Sequence, residues 1–101
     1  MSDGQVIELE ATAVRFFSAH DESGFFERLK KLRCVKRSEG RGRTIYLSVE
    51  LASVDEDALR ELLALFRRYG IDMRQLAKLD RDEFADWFRD PNAYWFKQVF
   101  G

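Results

Sequence analysis

The chain has 101 residues, 46% of them apolar and including nine Phe, with a formal net charge of −1. That is ample side chain for one buried core, so intrinsic disorder is excluded, and no apolar run reaches the roughly 18 residues a membrane span requires. One cysteine, Cys34, and one histidine, His20, rule out an internal disulfide and a four-ligand zinc site within one chain.

No repeat, low-complexity stretch or Gly/Ser/Pro linker interrupts the sequence, so residues 1–101 read as a single domain. The opening MSDGQVIELE is acidic and lacks the basic-then-apolar grammar of a signal peptide. With the lone thiol it sets the expectation of a cytoplasmic protein without membrane association. From Val6 to Phe17, Ile7, Leu9, Ala11 and Ala13 alternate with Glu8, Glu10 and Thr12, as in a strand with one wet face. The pattern turns doubly apolar near Val14–Phe17, where the strand is expected to become covered or to bulge.

Ser18 with Asp21 forms a capping box in carboxylate form, and Phe25, Phe26, Leu29 and Leu32 recur at helical spacing, which predicts a helix over 21–33. Two strands follow, 34–38 and 43–50, joined through Glu39-Gly-Arg-Gly42 as a hairpin. A second capping box, Ser53-Val-Asp-Glu56, opens the clearest helix, whose stripe of Leu59, Leu62, Leu63 and Phe66 ends at Gly70. Three shorter helices are expected after it. One covers 72–78, one is capped by Asp80 with Glu83 three residues on, and one starts at Asp90-Pro91. The last would carry Trp95, Phe96, Val99 and Phe100 as a double apolar stripe docked on the core.

The order β-α-β-β-α, with the crossover right-handed, predicts an α+β fold. It has a three-stranded antiparallel sheet of order 1-3-2 covered on one face by helices, plus short C-terminal helices.

No motif announces a chemistry. His20 and Cys34 sit at opposite ends of one helix, roughly 20 Å apart at about 1.5 Å per residue, which excludes a dyad. Asp80-Arg-Asp82 lacks the further ligand and the glycine of a calcium loop. Gly40-Arg-Gly42 opens a strand, so it is no phosphate cradle. No residue set asks for a cofactor or metal. What stands out is charge distribution. From Arg28 to Arg43 eight basic residues face Glu39 alone, a local charge of +7 that leaves −8 for the rest. Arg28, Lys31, Arg37, Arg41 and Arg43 are the candidate basic patch. Asp82, Asp86 and Asp90, four residues apart, are a candidate acidic ridge on one helix face. The expectation is a small non-enzymatic binding or regulatory module that engages another protein, of undetermined oligomeric state. The alternative is a nucleic-acid-binding domain using residues 28–43, disfavoured by a sequence pI near 5.8.

Overall fold

The structure, a computed structural model, describes residues 5–101; the first four residues of the acidic N-terminal stretch lie outside the described residues. Alternation dictates the sheet. In β1 (Val6–Thr12) the odd residues Leu9 and Ala11 are buried, while Glu8, Glu10 and Thr12 are exposed. β3 (Thr44–Glu50) does the same with Leu47 and Val49 and lies between β1 and β2 (Val35–Arg41), antiparallel to both. The order 1-3-2 expected from the sequence is the observed one. Val35 faces Val49 and Arg37 faces Ser48, so Lys36 is the extra residue of a β-bulge.

The expected first strand is cut short. Ala13 adopts φ 55, a left-handed conformation, while its amide still donates to the Arg43 carbonyl at 2.7 Å. Pairing therefore ends at Thr12, and Val14–Phe17 leave the sheet. The hairpin is tighter than predicted. β2 continues to Arg41, which faces Thr44, leaving only Gly42 and Arg43 in the turn. Gly42 has φ 60 and Arg43 no positive φ, the pattern of a type II′ turn that needs glycine first.

Helix α1 (Ala19–Lys30) begins and ends earlier than the apolar spacing suggested. Ser18 caps it by accepting from the Asp21 amide at 3.1 Å, but the Asp21 carboxylate reaches one residue past the cap, to the Phe17 amide. α2 (Glu56–Tyr69) is capped by Asp55, which accepts from the Ala58 amide at 2.8 Å. Ser53, the predicted cap, is in a short 3-10 turn and donates its hydroxyl to Glu50 instead. At the other end Gly70 takes φ 69, and Ile71 donates back to Phe66, closing the helix with a buried apolar residue just beyond it.

The C-terminal third departs most from expectation. Residues Met73–Leu79 form a 3-10 helix, and Asp82–Phe84 another, which runs into α3 (Ala85–Phe88). Asp80 does not cap; its carboxylate takes the Arg89 guanidinium at 2.8 Å. Asp90-Pro91 opens turns rather than a helix, with the Asp90 side chain accepting from the Asn92 amide, and only Phe96–Phe100 are helical (α4). The aromatic tail is nevertheless docked. Trp95 and Val99 are buried, α4 packs on the 3-10 stretch Met73–Leu79, and Trp95 Nε1 donates to the Phe88 carbonyl at 2.8 Å.

Two outcomes follow from this packing. Ala13→Gly removes a left-handed penalty of about 1–2 kcal/mol and adds about 0.4–1 kcal/mol of unfolded-state entropy. It is exposed, so no packing is lost, and urea denaturation should show a net stabilisation of about 0.5–1 kcal/mol. Trp95→Ala should cost about 3–5 kcal/mol in the same assay, as loss of a buried aromatic does. An unchanged midpoint would mean the tail is not part of the core.

Candidate functional site

Helix charges here follow the helix dipoles. α1 carries Arg28 and Lys30 in its last turn and Lys31 as its C-cap, while α2 carries Asp55 at its cap and Glu56 and Asp57 in its first turn. Folding sets these two ends side by side around a groove of about 530 Å³. Arg28, Lys31 and Arg33 line it from α1 and the segment after it, and Asp55, Asp57 and Glu61 from α2 and its cap. Leu32 and Ala58 supply apolar lining. The ion pairs among the described residues lie elsewhere, and none joins the basic to the acidic side. The groove therefore presents opposite charges that are available to a third body.

The rest of the basic segment lies apart. Arg37 and Arg41 project from the uncovered face of the sheet, since they face Ser48 and Thr44 of β3. Arg37 is 3.6 Å from Glu39, and the Arg41 guanidinium sits over the Tyr46 ring at 4.2 Å. Arg43 lies in the hairpin turn, where with Arg15 it borders a second depression of about 450 Å³. Chain reversals after α1 and at Gly42 thus distribute the basic run over three places. On the uncovered face the signs are graded. Glu8 and Glu10 stand on β1, Thr44, Tyr46 and Ser48 in the centre, and Arg37 and Arg41 on β2 around Glu39.

The three carboxylates of the acidic ridge belong to different elements. Asp82 is in a 3-10 turn with the Arg89 Nη2 at 3.5 Å, Asp86 is exposed in α3, and Asp90 is folded onto Asn92. Their spacing of four loses its meaning where the helix is not continuous.

Three side chains outside these candidates organise the surface. The Gln75 amide group bonds both the amide and the carbonyl of Glu10, at 2.6 and 2.8 Å, and so occupies the outer edge of β1 at that residue. Arg81 donates to the carbonyls of Leu51 and Val54, holding the loop that leads into α2. Glu61 completes the acidic side of the groove. None of these had a local signal, because each partner lies at least 27 residues away, or across a helix pair.

Cys34 is buried, and burial pushes its thiol pKa up, the wrong direction for a nucleophile. His20 is exposed in the first turn of α1. Among the described residues no group of three or more His, Cys, Asp or Glu is placed to hold a metal ion, and no helix is long and apolar enough to cross a membrane. Comparison with protein families, with curated proteins and with solved structures finds no match.

One carboxylate is held below its ordinary range. The Ser53 hydroxyl and then Lys36, 3.3 Å away, lower the pKa of Glu50. A carboxyl depressed on folding adds stability above its unfolded pKa and loses it as pH falls through the folded one. In an NMR pH titration Glu50 should titrate below the usual glutamate range. Ser53→Ala and Lys36→Met should each move it back toward that range, and a variant that leaves it in place would show that its partner does not set it.

Proposed function

We propose that this chain is a non-catalytic binding module that engages another protein through the groove between α1 and α2. The observation that carries this reading is the division of charge in the groove, basic from α1 and acidic from α2, with no ion pair across it among the described residues. Opposite charges this close to one space favour a ligand that brings the complement of both. A partner segment would set acidic side chains against Arg28, Lys31 and Arg33 and basic ones against Asp57 and Glu61, around an apolar contact with Leu32 and Ala58. Such arrangements fix register and steer encounter more than they raise affinity. A volume of about 530 Å³ suits a short peptide stretch. Burial makes the Cys34 thiol a poor nucleophile, and a free buried thiol suits the cytoplasm.

Nucleic acid is the competing partner, favoured by the Arg41–Tyr46 stack on the uncovered sheet face. Against it, Glu8, Glu10 and Glu39 share that face and would repel phosphates.

Affinity capture from the source lysate, followed by titration of the recovered partner, separates the two. Arg28→Glu with Lys31→Glu, or Asp57→Lys with Glu61→Lys, should each weaken a protein partner about tenfold or more while Arg43→Glu leaves it unchanged. Binding that ignores the groove variants, falls steeply with salt and is lost with Arg37→Glu and Arg41→Glu would replace this reading with nucleic-acid binding.

A further inference from the structure

The two edges of the sheet are treated differently. On β1 the outward amide and carbonyl of Glu10 are taken by Gln75. On β2 the residues facing β3 in hydrogen-bonding register are Arg37, Glu39 and Arg41, so the backbone groups of Ser38 and Gly40 point away from the sheet. Both residues are exposed, and no hydrogen bond to those outward groups is present among the described residues.

One device that commonly blunts a free edge, a lysine charge, is weak here. Lys36, the bulge residue, is drawn onto the sheet face by Glu50 at 3.3 Å, so its charge does not guard the edge. Gly40 has neither a positive φ nor any atom within 4 Å of where a Cβ would stand, so nothing within the chain requires glycine there. A glycine inside a strand often marks a place where another backbone comes close.

We propose that the β2 edge pairs with β2 of a second copy of this chain, antiparallel about a twofold axis at Ser38, joining two three-stranded sheets into one of six. The choice of occupant rests on charge. β2 runs from Val35 to Arg41, so it overlaps its symmetry mate fully only when Ser38 faces Ser38 of the mate. In that register each Arg37 faces a Glu39 on the same sheet face, and the pair occurs twice by symmetry. Moving the axis to Glu39 sets Glu39 against Glu39 and Arg37 against Arg41, an all-repulsive arrangement. Moving it further, to Gly40, pairs Glu39 with Arg41 but sets Arg37 against Arg43 and shortens the overlap. The isologous register centred on Ser38 is the one in which hydrogen bonding, overlap and charge agree.

Sedimentation equilibrium of the full chain over a wide concentration range, at low salt, tests this, with circular dichroism confirming that each variant is folded. The wild-type chain should dimerise reversibly. Arg37→Glu and Glu39→Arg should each lower the association constant about tenfold or more, because two attractive pairs become repulsive. The double variant Arg37→Glu/Glu39→Arg should recover it, and a mixture of the two single variants should form a heterodimer. Hydrogen exchange at the Ser38 amide should slow as concentration rises. A chain that stays monomeric up to about millimolar concentration, or a dimer indifferent to Arg37→Glu, would overturn the proposal. So would rescue of Glu39→Arg by Arg41→Glu instead of Arg37→Glu.

Discussion

Everything else in this molecule depends on the apolar face of α2. Ala58, Leu59, Leu62, Leu63, Leu65 and Phe66 are all buried along it. At about 1.5–3 kcal/mol for each large side chain, their burial is comparable with the whole net stability of a domain, about 5–15 kcal/mol. The face is too broad for one neighbour. It shares a core with Leu9, Leu47 and Val49 of the sheet, and it also packs against the 3-10 stretch Met73–Leu79. The C-terminal third is therefore a required layer, and the tail that completes it with Trp95 and Val99 had to be aromatic or aliphatic. With the helices gathered on one face of the sheet, the other face is left to polar and charged residues.

Elements whose period is set by this core were legible in the sequence. The alternation of β1 and β3 and the α2 stripe each bury one side, and each was placed by its spacing. Where the reading failed, a specific competitor had won. Ser53 and Asp55 both suit a cap, but Ser53 is committed to Glu50, which leaves Asp55. Met73, Leu76 and Leu79 are buried at intervals of three, the period of a 3-10 helix, and an α-helical template overlooked that difference. Ala13 gave no warning of its left-handed backbone, because alanine is not a residue that favours it.

The candidate site was only half legible, for a reason of topology. A run of basic residues is visible in one dimension, but a hairpin sends alternate residues to opposite faces, and its turn moves Arg43 to the far end. The acidic side of the groove comes from α2, more than twenty residues further along the chain. That Arg28 and Lys31 should meet Asp57 and Glu61 depends on which ends of two helices the sheet sets side by side, and spacing carries no information on that.

The groove's charges have a local cause that precedes any partner. Lys, Arg and His stabilise the C-terminal turn of a helix and carboxylates the N-terminal turn, by about 0.3–1 kcal/mol each at exposed sites. α1 and α2 each satisfy this preference on their own. Because the fold juxtaposes the C-terminus of one with the N-terminus of the other, two separate acts of helix stabilisation create one bipolar surface. The two sides hold no ion pair with each other, and an exposed pair would gain at most about 1 kcal/mol while ordering two long side chains. Charges kept at a helix end for the helix's sake thus remain free for a ligand. The same economy holds at the β2 edge, where Arg37 and Glu39 alternate along one strand. Neighbours of opposite sign on one face make a weak contact at 3.6 Å within the chain, and a matched one only when a second strand presents the same sequence in reverse.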